Sequence, residues 1–391
     1  MFGLIATTIN MIASSIYYVG LISVAGAAYK FYRFINFHFF GPGIAANLRR
    51  YLHPGPSPSA DNAKKEGKAK PAWALVTGST SGIGLSLSSE LAATGFNIIL
   101  HGRSPAKLER VHKDLSAKHP NREFKLLVGD AKDASPQAVE KLVKQVEGWD
   151  LNLTVLINNA GGGYLDETLD WYCASGTKDA SDGDVTSAVR REEELLEVLA
   201  VNAIFPTLLL GGLIPTIARN APALVINIGS MSDSGLPLVN VYGASKAYVS
   251  SLTQSVALEM ALTGRTDVEV VCMRVGRTLA TGENTGKEGQ GTLFEPDATT
   301  MARSILNAVG RGAGAVVMPY WGHAVQDWAS GITPSGIKSK VMVKMMNELR
   351  DSGTLNPEKA AKRKAATAAP SADKKADGST GVSAAGDAEE K

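Results

Sequence analysis

The apolar positions of this 391-residue chain fall into three regimes. Residues 1–29, MFGLIATTINMIASSIYYVGLISVAGAAY, carry no charge. As a helix rising about 1.5 Å per residue, such a run exceeds the roughly 30 Å hydrocarbon core of a bilayer. It predicts a retained transmembrane anchor over 1–29. A cleaved signal peptide is the rival reading, because AGA at 25–27 imitates a cleavage site. That reading lacks its basic n-region, since the first cations, Lys30 and Arg33, follow the apolar run. With Arg49 and Arg50 they predict that the chain beyond the anchor faces the cytosol. The aromatic run FYRFINFHFF (31–40) suits the headgroup level, and HPGPSPSADNAKKEGKAKP (53–71) has linker composition. Residues 30–71 are therefore expected to form an interfacial segment and linker.

From there short apolar runs alternate with helical spacing. AWALVTG, NIILHGR, FKLLVGD, LTVLINNAG, ALVINIGS and DVEVVCMRV read as strands, and GIGLSLSSELAATG reads as a helix that stops at Gly95. Strands apolar on both faces and separated by helices predict a parallel sheet covered on both sides. The expected fold is α/β: one doubly wound, Rossmann-like catalytic domain over 72–330. In PSGIKSKVMVKMMNELR (334–350), Val341, Met345 and Leu349 recur at four-residue spacing beside Lys338, Lys340 and Lys344. That predicts a C-terminal amphipathic helix within 331–355, packed on the domain or a partner subunit, or resting on an anionic membrane surface. Residues 356–391, rich in Ala, Lys and Ser and without aromatics, are expected to be disordered.

Composition narrows the function. A 44% hydrophobic content supports a buried core, and a net charge of +2 without a basic patch gives no reason to expect nucleic acid as a partner. The two cysteines, Cys173 and Cys272, are too few for a disulfide framework, and Cys272 reads as a buried strand residue. No His, Cys or carboxylate cluster has metal-ligand spacing, so no metal is expected.

The chemistry sits in short motifs. TGSTSGIG (77–84) closes the first strand and opens the first helix. Gly78, Gly82 and Gly84 let backbone approach a diphosphate at a helix N-terminus, with Ser79, Ser81 and Ile83 as further contacts. The second strand ends in Gly102 and Arg103 rather than a carboxylate, which favours NADPH over NADH. Asp130 is placed either to accept a hydrogen bond from the adenine or to cap the following helix. Tyr242 and Lys246 stand one helical turn apart on a shared face, where the lysine cation favours tyrosinate.

With TGSTSGIG, NNAG (158–161), Ser230 and YGASK (242–246) in this order, the stretch from about Trp73 to Tyr320 resembles the short-chain dehydrogenase/reductase family. The resemblance implies that Asn202, in VLAVNAIFP, completes a tetrad with Ser230, Tyr242 and Lys246. It further implies hydride transfer from NADPH to a carbonyl, with Tyr242 as the proton donor and Ser230 polarising the carbonyl oxygen. Lys246 would hold the ribose hydroxyls, Asn202 a relay water, and Asn159 would lie near the adenosine ribose. Two departures stand out. Ser230 precedes Tyr242 by twelve residues, one fewer than usual, and Ser232 is an alternative hydroxyl. The family's Pro-Gly after the sixth strand is Val275-Gly276 here, leaving Thr278 as a contact for the nicotinamide carboxamide.

The anchor, FNIILHGRSPAKLERV (96–111) and VVMPYWGHAVQDW (316–328) resemble the membrane-bound branch of very-long-chain 3-oxoacyl-CoA reductases and 17β-hydroxysteroid dehydrogenases. That implies an NADPH-dependent homodimeric reductase of a lipid-like ketone at the endoplasmic reticulum membrane, facing the cytosol. A long-chain 3-oxoacyl-CoA is the first expectation, with steroid, polyketide or other specialised ketones, and oxidation of the alcohol, as alternatives. A non-catalytic, membrane-tethered NADP-binding scaffold is the reading from another class, and the intact tetrad argues against it. An acid-rich insertion (165–197) and the glycine-rich polar loop 276–296 set this chain apart, the loop being expected to act as a mobile lid.

Overall fold

The computed structural model describes residues 2–54, 70–162, 167–173, 185–279, 291–312, 314–353 and 355. The expected disordered tail, most of the linker, and the centres of the insertion (174–184) and of the polar loop (280–290) lie outside them. The chain opens with α1 (Phe2–Phe39), α2 (Ile44–Leu48) and a 3-10 turn (Arg49–Tyr51). Then follow β1 (Ala72–Val76), α3 (Gly82–Thr94), β2 (Asn97–Gly102), α4 (Pro105–Lys118), β3 (Phe124–Val128), α5 (Pro136–Gly148) and β4 (Asn152–Asn158). The second half comprises α6 (Leu169–Cys173), α7 (Val185–Leu199), a π-helical turn (Ala200–Ile204), α8 (Phe205–Arg219), β5 (Ala223–Ser230), α9 (Asn240–Leu262) and β6 (Val268–Val275). It closes with α10 (Ala298–Ala308), β7 (Val316–Val317), α11 (Trp321–Ile332) and α12 (Ser335–Asp351).

The strands form one parallel sheet in the order β3-β2-β1-β4-β5-β6-β7, the doubly wound arrangement expected from the sequence. β1 and β4 are buried along their whole length because helices cover both faces. On one face Val76, Leu87, Leu108 and Met301 join β1 to α3, α4 and α10. On the other, Leu75, Leu142, Leu213 and Val256 join β1 to α5, α8 and α9. Each such side chain contributes about 1.5–3 kcal/mol by leaving water. Short polar residues start the helices: Ser104, Ser135 and Asp297 accept from the backbone N–H of Lys107, Ala138 and Thr300. The strand order reverses between β1 and β4, which opens a crevice at the carboxyl edge of the sheet.

Two stretches among the described residues are long and apolar enough to cross a membrane, Thr7–Phe39 and Glu192–Arg219. The second contributes Phe205, Leu209 and Leu213 to the domain core. The first is exposed along its apolar length and docks by its last turn. Arg311 donates there to the carbonyls of Asn36 (2.8 Å), Phe37 and Phe40 (3.0 Å), and Phe39 packs on Trp321 with ring centroids 5.9 Å apart. A cation at a helix C-terminus satisfies carbonyls that have no intrahelical partner and complements the dipole.

Residues 44–54, inside the segment expected to be interfacial and linker, pack into the domain instead. Leu48 and Tyr51 are fully buried, and the Tyr51 hydroxyl donates to Glu269 at 2.6 Å. Thr154 donates to the Tyr51 carbonyl at 2.8 Å, which ties the segment to β4. Helix α12 likewise packs on the domain, where Met346 and Leu349 join a cluster with Tyr172, Val198, Val239 and Tyr242.

Candidate active site

The TGSTSGIG turn lies in the crevice between β1 and α3. Gly78 and Gly82 adopt φ of +66° and +55°, the left-handed region that glycine enters without strain. Gly84 is required for a different reason: a Cβ there would lie 2.3 Å from the Gly78 carbonyl oxygen. Ser81 precedes α3 without capping it through its side chain, so the first amides of that helix donate no hydrogen bond to that side chain.

The neighbouring side chains divide into those that face the crevice and those that support it. Ser79 is fully buried, and its Oγ and N–H both donate to the His101 carbonyl at 3.2 and 3.0 Å. It fastens the turn to β2. Ile83 packs into the core. The Asn159 amide, expected near a ribose, donates to the Thr77 and Gly78 carbonyls at 2.9 and 3.4 Å, so it braces the turn from β4. Thr77 returns the support, its Oγ1 accepting the N–H groups of Asn159 and Ala160 at 2.9 Å each. Arg103 is exposed beyond Gly102, at the end of β2. Asp130 is exposed beyond β3 and accepts the Lys132 N–H at 3.0 Å, while Ser135 is the cap of α5, which removes the capping alternative for Asp130.

Tyr242 and Lys246 occupy the first two turns of α9, 8% and 4% exposed. The Lys246 ammonium donates to the Ile228 carbonyl at 2.9 Å and lies 5.7 Å from the centre of the Tyr242 ring. Burial pushes its pKa down to about 8. The charged form therefore predominates below about pH 8 and is lost above it. Ketone reduction assisted by that charge is expected to slow as the pH rises through this value, and Lys246→Arg to move the limb upward. A pH–rate profile flat between about 7 and about 9 would contradict this.

Asn202 sits on the π-helical turn, 1% exposed. Its amide donates to the Gly162 and Val198 carbonyls at 2.8 Å each and accepts the Gly162 N–H at 3.2 Å. Gly161 is where this residue and the lysine converge, because a Cβ there would lie 2.8 Å from Asn202 Oδ1 and 3.2 Å from Lys246 Nζ. Ser230 ends β5, and its Oγ accepts both the Ser232 N–H (3.2 Å) and the Ser232 hydroxyl (3.0 Å). Accepting twice leaves the Ser230 hydroxyl proton available to a ligand, whereas Ser232 has committed its own. The short spacing to Tyr242 is accommodated by Gly243, where a Cβ would lie 2.6 Å from the Ser232 carbonyl. Thr278 is 8% exposed and its hydroxyl donates to the Gly276 carbonyl at 3.2 Å. Among the described residues no His, Cys, Asp and Glu group could hold a metal.

Sequence reading missed an ion pair that holds this edge together. Arg274 on β6 donates to both oxygens of Asp233, at 2.7 and 2.6 Å, and faces Asp327 at 3.4 Å. The Arg274 and Asp233 side chains are 18% and 10% exposed. Their separation of 41 residues gives no local spacing signal. Arg274→Leu, which leaves Asp233 without its main partner, is expected to lower stability by about 3–5 kcal/mol. Urea unfolding measures this, and a loss below about 1 kcal/mol would show that the pair behaves like an exposed one.

Sheet order, glycine turn and clustered Asn, Ser, Tyr and Lys define a Rossmann-fold oxidoreductase. The chain belongs to the short chain dehydrogenase family, whose profile matches residues 72–289. It is similar to a very-long-chain 3-oxoacyl-CoA reductase from Mycosarcoma maydis, 30% identical over 286 residues that cover 72% of this chain and 75% of that protein. A similarly named reductase from Caenorhabditis briggsae is 29% identical over 296 residues, covering 75% of this chain and 86% of that one. Among solved structures, an alcohol dehydrogenase from Thermococcus sibiricus complexed with 5-hydroxy-NADP shares the fold, with a TM-score of 0.51 and 21% identity over 63% of this chain and 95% of that one.

Proposed function

We propose that this chain is an NADPH-dependent reductase of a lipid-like ketone, with a long-chain 3-oxoacyl-CoA as its substrate. The observation that carries the reading is the Lys246 ammonium 5.7 Å from the centre of the Tyr242 ring, with that tyrosine in an apolar cluster of Tyr172, Val198, Leu238, Val239 and Met346. The names of the relatives from Mycosarcoma maydis and Caenorhabditis briggsae support the substrate class.

The residues fit the cofactor. Gly78, Gly82 and Gly84 with the start of α3 would hold the diphosphate, and Gly102 with Arg103 would admit and neutralise a 2′-phosphate. Asp130 would meet the adenine, and Thr278 the carboxamide. Bound there, NADPH supplies the hydride. The Ser230 hydroxyl donates to the substrate carbonyl oxygen and polarises it. Tyr242 gives its phenolic proton to that oxygen as negative charge develops. The Lys246 cation stabilises the phenolate left behind and is placed to hold ribose hydroxyls. Asn202 keeps the Gly161–Gly162 backbone in place and stands where a relay water would restore the proton.

In this reading residues 72–330 constitute the catalytic domain, α1 is the membrane anchor, and the domain faces the cytosol at the endoplasmic reticulum, an orientation that the cations Lys30, Arg33, Arg49 and Arg50 after the apolar run support. Exposed Leu258 and Leu262 on α9 support a homodimer. The test follows NADPH absorbance with detergent-solubilised protein and 3-oxoacyl-CoA substrates of increasing length. Turnover that rises with chain length is expected. Absence of turnover in protein that binds NADPH would remove this substrate class.

A further inference from the structure

His323 belongs to the VVMPYWGHAVQDW segment and has no part in the chemistry above. It is fully buried in the first turn of α11, and both ring nitrogens are engaged. Nδ1 accepts the Gly276 N–H at 2.9 Å, which requires that nitrogen to be unprotonated. Nε2 therefore carries the hydrogen and donates it to the Arg277 carbonyl at 3.2 Å. Burial lowers the His323 pKa, in keeping with a neutral ring. The ring lies flush on the turn: a Cβ on Gly276 would come within 2.7 Å of its Cδ2 and 2.8 Å of the Met231 sulfur.

The place of this turn gives the contact its meaning. Val275 pairs with Ser230 in the β5–β6 register, so residues 276–278 leave the sheet beside the serine assigned to the substrate carbonyl. A dinucleotide whose diphosphate rests on the glycine turn and whose reactive end reaches Ser230 must pass this backbone. Val275 leaves its φ free where a proline would lock it, so the backbone here depends on outside contacts for its shape. Other contacts fasten the far end of the polar loop to the start of α11 and to the turn itself. The Tyr320 hydroxyl donates to the Leu293 carbonyl at 3.0 Å, Arg277 pairs with Glu295 at 2.9 Å, and the Leu279 N–H meets the Pro296 carbonyl at 2.9 Å.

We propose that His323 is a positioning residue that holds the Val275–Thr278 backbone in the shape that receives the nicotinamide half of the cofactor, through its two hydrogen bonds to Gly276 and Arg277. The proposal rests on the NADP(H) reading above, and its test separates the two. Full-length, detergent-solubilised protein is titrated calorimetrically with NADPH and with adenosine 2′,5′-bisphosphate, which carries only the adenosine half. His323→Leu is expected to weaken NADPH binding by about 10-fold or more, because two buried backbone groups lose their partners, and to leave the bisphosphate within about 2-fold. His323→Asn offers an amide oxygen in place of Nδ1 and is expected to recover most of the NADPH affinity. A folding defect would instead weaken both ligands together, and that result, or equal affinity in all three proteins, would overturn the proposal. If wild-type protein binds neither ligand, the cofactor reading itself has failed and the role of His323 falls with it.

Discussion

Tyr242→Phe is expected to lower kcat for ketone reduction by about 10²–10⁴-fold while leaving NADPH affinity within about 2-fold. The substitution removes one oxygen and keeps a ring that is 8% exposed and packed against Val239 and Met346. Stability should therefore hold, and the loss should fall on proton delivery alone. Lys246 would still donate to the Ile228 carbonyl at 2.9 Å, so the cation remains in place with no phenolate to stabilise. Steady-state kinetics on purified protein, paired with thermal melting, read this directly. A variant that keeps kcat within about 3-fold of wild type would show that another group supplies the proton.

The second large effect concerns Gly84→Ala. An added Cβ would lie 2.3 Å from the Gly78 carbonyl oxygen and 2.4 Å from Asn159 Nδ2. Neither neighbour can yield cheaply. Gly78 is held at φ +66°, and the Asn159 amide is bonded to the Thr77 carbonyl at 2.9 Å. The turn must open or the start of α3 must move away, and either change removes the diphosphate cradle. NADPH affinity is expected to fall by about 100-fold or more, a loss of the size that misplaced hydrogen bonds to a charged group produce. Gly148→Ala is the control, since a Cβ there meets nothing within 4 Å. Calorimetric titration that finds Gly84→Ala binding like wild type would show that the backbone at this turn does not approach the ligand closely.

The sequence revealed these features unevenly, for physical reasons. Strands β1, β2, β4, β5 and β6 announce themselves because a strand buried on both faces must be continuously apolar. β7 is only Val316–Val317, too short for any periodicity to mark. Residues 44–54 carry Ile44, Leu48, Tyr51 and Leu52, but the run is too short for its spacing to mark a packing face. What fixes them is Tyr51 reaching Glu269, a partner 218 positions away. At the site, residue types were legible and side-chain directions were not. A glycine-rich turn motif specifies backbone shape, so it cannot tell that Ser79 and Asn159 turn inward to brace the turn. Ser230 stood ahead of Ser232 on its motif alone, and the hydrogen bond that the Ser232 hydroxyl donates to it at 3.0 Å is a contact that no spacing announces. The Gly276–His323 and Asp233–Arg274 contacts join residues 47 and 41 positions apart, and only the folded sheet brings them together.

The central claim is that this chain transfers a hydride from NADPH to the ketone of a long-chain 3-oxoacyl-CoA. Deuterated NADPH, labelled on each face of the nicotinamide in turn, would be incubated with solubilised wild-type protein and that substrate, and the product alcohol examined by mass spectrometry. Deuterium in the product from one labelled face only, and no labelled product with Tyr242→Phe on the same timescale, is the expected result. Absence of labelled alcohol from either face, in protein shown to bind both NADPH and the acyl-CoA, would contradict it.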